Sequence, residues 1–244
     1  MSSIKLFPYN ILAEDASITV TGSPDSGYPE SRLYDRSIDF YWKYTNTGDI
    51  SIECDQGSGI LDVDFLGIER HNFNGRTMHW EYSDNGSSWS PAVTSWSQTD
   101  NNQIIKTLSS AITHRYWRIR VISVVNPQCT EVWMSQGYEF RITYDDPSGK
   151  PLPNVRWRET LGGMERSTKL GGVRKERSYT LPHFQSDYTL ASFRAAEAYL
   201  DDYSKPLYIM DHEGNYWFAR IRDTEEGYTT EETAEREIEF LEML

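Results

Sequence analysis

The sequence predicts a mainly β chain, with a β-sandwich over residues 1–146 and a smaller α+β domain over 154–244. Three observations carry this. Between Ile60 and Trp96, apolar Leu61, Val63 and Phe65 alternate with Asp62 and Asp64, and then Met78, Trp80 and Tyr82 alternate with His79, Glu81 and Ser83. That period of two belongs to strands with one buried face. Aromatic residues make up 14% of the chain, with 8 Trp and 16 Tyr, which suits sheet packing better than helical bundles. Finally, Asp145–Pro153 gathers three prolines and a glycine, the composition of a linker, placed at 147–153.

Taken in order, Ile4, Leu6 and Phe7 open the first apolar run, and Ile18–Thr21 forms a short strand ended by Gly22-Ser23-Pro24. Asp25–Pro29 is a turn-rich loop, Asp35–Tyr44 is dense in aromatics and charge, and Ile50–Cys54 alternates again. Asp62 and Asp64 are expected on a solvated strand face. A crossing loop, Arg70–Gly75, joins the two central strands. Ser83-Asp84-Asn85-Gly86 then makes a tight turn, because Asn and Gly accept positive φ, and Trp89 packs back over the sheet. Strands follow at Ile104–Leu108 and Arg115–Val125; Asn126-Pro127 breaks the second. Val132–Ile142 closes the sandwich.

The second half has a different rhythm. Gly162-Gly163 and Gly171-Gly172 punctuate strand-like runs at Met164–Leu170 and Val173–Leu181. Ser186-Asp187 caps a helix over about 186–203, with Leu190, Phe193, Ala196 and Leu200 on one face. A hairpin about Asp211–Asn215, an acidic loop at Glu225–Glu232 and a strand at Ile238–Leu241 complete the order β-β-α-β-β-β.

Composition excludes several functions. A net charge of −13 without a basic run argues against nucleic-acid binding and anionic membranes. No stretch approaches the roughly 18 apolar residues of a membrane span. No basic start leads into an apolar run, so no signal peptide is expected, and the chain is read as made in a cytoplasm. Cys54 and Cys129 make no metal spacing; both read as buried thiols, and a bridge between them stays open. No H-E-x-x-H, G-x-S-x-G, P-loop or dinucleotide fingerprint occurs, and Asp211-His212-Glu213 reads as a turn. No enzyme is predicted.

The turn Tyr82-Ser83-Asp84-Asn85-Gly86-Ser87-Ser88-Trp89, with Arg115-Tyr116-Trp117-Arg118-Ile119-Arg120 after it, resembles the discoidin (coagulation factor type C) galactose-binding-like jelly roll. Ser31-Arg32-Leu33-Tyr34-Asp35 with Trp42 matches that family's opening, and Thr130-Glu131-Val132-Trp133 its closing strand. The resemblance covers about residues 8–143 and lacks the terminal cysteines of many extracellular members. It implies sugar contact through loops at one end of the sandwich. Asp39, Tyr41 and Trp42 are the candidates in one loop, and Arg70, His71 and Asn72 in another. Stacking needs a flat ring, and hydroxyls need charged or amide partners. Against this, Trp42 matches the family's core tryptophan and Asn72 suits loop backbone. The resemblance also implies calcium at Leu33, Asp35 and Glu131.

Residues 154–244, by element order and the Pro206-Leu207-Tyr208-Ile209 hairpin, resemble the small β-barrel domain with one helix found in tail-tube and distal-tail proteins of tailed phages. That implies a structural virion protein at the distal tail or tail tip. Its partners would be other tail proteins, a homo-oligomeric ring and a host-surface glycan, with no nucleic acid and no membrane insertion. The alternative is a carbohydrate-binding module, free-standing or accessory to a polysaccharide-degrading enzyme.

Overall fold

The first strand already departs from the expected domain plan. In a computed structural model, which describes residues 3–14, 16–22, 25–45, 47–141, 148–159, 165–181, 188–201, 203–230 and 233–243, β1 (Ser3–Phe7) pairs antiparallel with Tyr138–Arg141, Ile4 opposite Phe140. The chain thus starts in one unit, builds a second and returns to the first. The units are Phe7–Gly137, and Met1–Leu6 with Tyr138–Leu244.

The Phe7–Gly137 unit holds β2 (Ser17–Val20), a 3-10 turn at Glu30–Leu33, β3 (Trp42–Lys43), β4 (Thr47–Asp55), β5 (Val63–Glu69), β6 (Thr77–Ser83), β7 (Ser90–Pro91), β8 (Trp96–Ser97), β9 (Ile104–Ile112), β10 (Tyr116–Val125), β11 (Gln128–Cys129) and β12 (Glu131–Ser135). One sheet runs β2-β4-β10-β6-β7, with β8 also on β6; another runs β12-β5-β9; β11 and β3 form a short pair. Trp117, Ile119 and Val121 of β10 turn inward with Trp80, Met78, Ile52 and Cys54 of its neighbours. On the other face, Arg118 and Arg120 both donate to Glu81 Oε2, at 2.7 and 3.1 Å, and Arg118 lies 4.0 Å from the Trp89 ring. The predicted turn is present. Gly86 has φ +69, and Asn85 Oδ1 accepts the N–H groups of Ser87 and Ser88 at 2.9 and 2.8 Å.

The expected solvated face of β5 is corrected. Val63–Ile68 is buried throughout, and Asp64 accepts the Gly137 N–H at 2.7 Å. The chain before β2 supplies cover that alternation along β5 cannot reveal. Phe7 stacks on Phe65 at 4.0 Å, the Ile11 N–H donates to the Met134 carbonyl at 2.9 Å, and Arg36 lies 5.0 Å from the Trp133 ring. Asn10, fully buried, donates to Glu131 Oε1 (3.1 Å) and the Val132 carbonyl (2.8 Å) and accepts from the Met134 N–H (3.2 Å). Both cysteines are free and buried.

The other unit adds β13 (Tyr138–Arg141), β14 (Ser148–Glu159), β15 (Glu165–Leu181), α1 (Tyr188–Glu197), β16 (Leu207–Met210), β17 (Tyr216–Thr230) and β18 (Thr233–Glu242) to β1. Its seven strands lie in the order β13-β1-β16-β17-β18-β15-β14. Ile4, Leu6 and Phe140 share a core with Phe193, Leu207, Ile209, Trp217 and Phe240. From β14 onward the order is again β-β-α-β-β-β, but not with the expected strands: the two runs read at 164–170 and 173–181 are the single strand β15, which Gly171-Gly172 do not interrupt, and its partner is β14.

Three boundaries shift. The sandwich loses residues 1–6 and 138–146, because Ile4 and Leu6 pair with β13 and pack in the second core. The 147–153 linker is corrected as well: Pro147 lies outside the described residues, but Ser148–Pro153 is half of β14. A strand at the end of a sheet uses only one hydrogen-bonding side, so Pro151 and Pro153 fit there without breaking the ladder. Helix α1 ends at Glu197, short of 203, with its predicted cap Ser186-Asp187 outside the described residues. Beyond it, Arg236 donates to the Tyr203 hydroxyl at 2.7 Å and pairs with Glu197 at 3.2 Å. Glu225–Thr230 of the predicted acidic loop belongs to β17, and Glu231-Glu232 lies outside the described residues. No helix among the described residues is long and apolar enough to cross a membrane.

Candidate carbohydrate surface and cation site

β3 decides which rings of the aromatic-rich stretch face water. Trp42 pairs with Cys129, is completely buried and lies 5.0 Å from the Tyr44 ring. No face of it is open to stack on a sugar, so Trp42 is withdrawn as a contact residue. Phe40, two residues earlier, is 56% exposed. Tyr28 is 37% exposed. The Arg32 guanidinium carbon lies 5.3 Å from the Phe40 ring centre and 5.5 Å from that of Tyr28. Arg32 is held by its Nη1, which donates to the Tyr41 carbonyl at 3.0 Å. Lys43 Nζ is 5.6 Å from the Tyr28 ring. Cations over aromatic faces fix ring orientation in this way.

Arg70 joins this surface. It is exposed, has φ +44, and its Nη1 donates to the Ile38 carbonyl at 2.9 Å. Asp39 is exposed and Tyr41 half-buried beside it. Arg70 and Arg32 thus bond the two ends of the Ile38–Tyr41 backbone that carries Asp39, Phe40 and Tyr41, and Phe40, Tyr28 and Arg32 are the residues sequence reasoning missed. Phe40 could have been found, since it sits between two chosen residues, but only strand register separates its outward ring from that of Trp42.

His71 and Asn72 face other duties. His71 is buried, its Nδ1 accepts the Phe73 N–H at 3.1 Å, and its Nε2 meets the Asn102 carbonyl at 2.5 Å. That pairing puts the proton on Nε2, and burial lowers the imidazole pKa despite the favourable Asn102 contact. Asn72 donates to the Asn126 carbonyl at 3.0 Å and accepts the Gln128 N–H at 3.0 Å. His71 ties the crossing loop to the segment before β9 and Asn72 ties it to Asn126 and β11, so neither has its polar groups turned to a ligand. Both are withdrawn as sugar contacts.

Of the cation candidates, Asp35 and Glu131 lie near enough for the charge of one to act on the other. Leu33 is wholly buried, so only its carbonyl is a donor type. Asp35 is exposed, and its Oδ1 accepts the Ser37 N–H at 3.0 Å. Glu131 is fully buried; Asn10 binds Oε1, while Oε2 has no hydrogen-bond partner among the described residues. Burial raises the Glu131 pKa well above the usual carboxylate range and the nearby Asp35 charge raises it further, while Arg36 and Asn10 pull it down. A buried carboxylate oxygen without a hydrogen-bond partner among the described residues, with the charge of a second carboxylate acting on it, suits a hard divalent cation, which takes oxygen ligands. These residues fit calcium. Among the described residues no cluster of three or more His, Cys, Asp or Glu is present, so further ligands would be carbonyls or water.

No family model matches the chain, and no curated protein does. Among solved structures, it is similar to a Ruminococcus gnavus GH29 fucosidase in complex with fucose, at 20% identity and a TM-score of 0.47, over 55% of this chain and 28% of that one. It is also similar to a Clostridium perfringens family 32 carbohydrate-binding module from NanJ in complex with galactose, at 17% identity and TM-score 0.44, over 55% and 99%. A second C. perfringens module, CpGH89CBM32-5, in complex with GalNAc-beta-1,3-galactose, matches at 13% and 0.44, over 52% and 100%.

Proposed function

We propose that the Phe7–Gly137 unit is a carbohydrate-binding module and makes or breaks no bond. The observation that carries this is the pair of exposed rings, Phe40 and Tyr28, both within 5.5 Å of the Arg32 guanidinium, on a loop that also carries Asp39 and Tyr41 and is bonded by Arg70 at Ile38. A pyranose ring presents an apolar C–H face for Phe40 and hydroxyls for the carboxylate and guanidinium. Calcium held by Asp35, Glu131 and backbone oxygens would brace the loop that carries this surface; its role would be structural. The test is a glycan array with the purified chain, followed by calorimetric titration of the best ligand. Saturable binding lost in Phe40→Ala supports the reading, and no binding to any neutral or acidic glycan overturns it.

A second reading, a structural part of a phage or prophage tail, is favoured by one feature. The Tyr138–Leu244 unit has its helix after two strands and before a hairpin, the element order that prompted the resemblance to tail-tube and distal-tail domains. In that reading this unit holds neighbouring tail proteins and the sandwich meets the host surface. Mass spectrometry of particles induced from a source strain tests it: recovery in the tail fraction supports it, absence overturns it.

A further inference from the structure

In the Phe7–Gly137 unit, Arg36 pairs with Glu14 at 2.8 Å, Arg115 with Asp55 at 2.7 Å, and Arg118 and Arg120 with Glu81 at 2.7 and 3.1 Å. The cations at the Phe40 and Tyr28 rings differ. Among the described residues, Arg32, Lys43 and Arg70 form no ion pair. Arg32 uses only Nη1, on the Tyr41 carbonyl, so the Nε–Nη2 edge of its planar fork has no hydrogen-bond partner among the described residues. Its guanidinium carbon and Lys43 Nζ lie 5.5 and 5.6 Å from the centre of the same ring, Tyr28. Two like charges gathered at one exposed ring repel each other, and an anion placed beside both relieves that repulsion.

The acidic groups of the 25–44 segment are engaged elsewhere, with one exception. Glu30 accepts the Tyr44 hydroxyl, and Asp25 and Asp35 accept the N–H groups of Gly27 and Ser37 at 3.3 and 3.0 Å. Asp35 is also a candidate cation ligand. Asp39 is exposed, and its carboxylate has no partner among the described residues.

Taking the carbohydrate-binding reading as its basis, we propose that the sugar taken at the Phe40–Tyr28 surface is an acidic one, its carboxylate or sulfate held by Arg32 and Lys43. The free edge of a guanidinium matches a carboxylate or sulfate with two parallel hydrogen bonds, and an ammonium adds a point charge. The chain's net charge of −13 repels an acid as a whole. At physiological salt that field is screened beyond about 8 Å, so the groups at the ring decide the outcome. Asp39 opposes the acid from the same loop.

Calorimetric titration of the full chain checks this, with trigalacturonate, its neutral methyl ester, a sulfated lactose and lactose as probes. At about 50 mM salt an acid should bind about tenfold or more tighter than its neutral counterpart, and the ratio should shrink at about 500 mM. Which acid shows the preference tells carboxylate from sulfate. Lys43→Gln should lower the ratio and Asp39→Asn should raise it. A misfolded variant binds neither sugar of a pair, so opposite movements of the ratio separate lost charge from lost folding. Binding confined to neutral glycans, among these probes and on the array, overturns the proposal and leaves the carbohydrate-binding reading standing. So does a ratio that neither substitution moves. No binding to any probe together with a blank array removes both.

Discussion

Arg32 holds its guanidinium carbon 5.3 Å from the centre of the Phe40 ring while its Nη1 donates to the Tyr41 carbonyl. One side chain therefore aims an exposed ring and fixes the backbone of the residue after it. Phe40→Ala should weaken sugar binding by about tenfold or more, roughly the stacking contribution of one aromatic ring, and change stability by no more than about 0.5 kcal/mol. Trp42→Ala should do the opposite, costing about 3–5 kcal/mol of sandwich stability through the cavity it leaves. Titration calorimetry and urea melts on both variants check this. Equal loss of binding with unchanged stability in Trp42→Ala would contradict the assignment.

Glu131 gives the sandwich a pH dependence. Its folded pKa lies above the ordinary value of 4.5, so the stability tied to its protonated form is complete below about pH 4.5 and drains away as pH rises through the folded value. Between about pH 5 and 8, without divalent cations, wild-type Tm should fall more than that of Glu131→Gln. Added calcium should raise Tm at the upper end for wild type alone. His71 acts with the opposite sign: its lowered pKa makes its contribution present above 6.5 and lost as pH falls. The comparison with Glu131→Gln therefore isolates the carboxyl. Parallel Tm profiles would remove Glu131 from the cation site.

Asn10 is fully buried and feeds Glu131, Val132 and Met134 at once. Asn10→Ala strips those groups of partners in a site that water does not reach. A loss of about 1–3 kcal/mol is expected. Urea unfolding with unchanged slope would register it; a variant as stable as wild type would show that the chain before β2 is not what covers the β12-β5-β9 sheet.

Ile4 tests the split unit. Ile4→Ala should cost the Tyr138–Leu244 unit about 2–5 kcal/mol and leave the sandwich transition in place, because Ile4 packs with Phe140, Phe193 and Trp217. Scanning calorimetry should show one transition lowered and one unmoved. A shift in the sandwich transition alone would restore the expected boundary.

Much of this was legible from residue order. Strand periodicity located β5, β6 and β10, the Asn85-Gly86 turn declared itself, and the helix fell between the strand pairs where expected. What escaped was set by partners far along the chain. Ile4 reads as any apolar strand residue until Phe140 is placed opposite it. Prolines at 151 and 153 read as a linker because composition does not say that β14 has a neighbour on one side only. Trp42 and Phe40 look alike as candidates, and pairing with Cys129 sends one ring inward.

The sequence by itself determined the local matters: that the alternating segments of β5, β6 and β10 are strands, where the tight turn falls, and the mainly β class. Each of these depends on neighbours a few residues away, through side-chain alternation and allowed φ. Tertiary structure alone decided which unit owns the first strand, which aromatic rings meet water and which carboxylate oxygen is left without a partner among the described residues. Those outcomes depend on groups brought together across tens to more than a hundred residues, as Asn10 and Glu131 are.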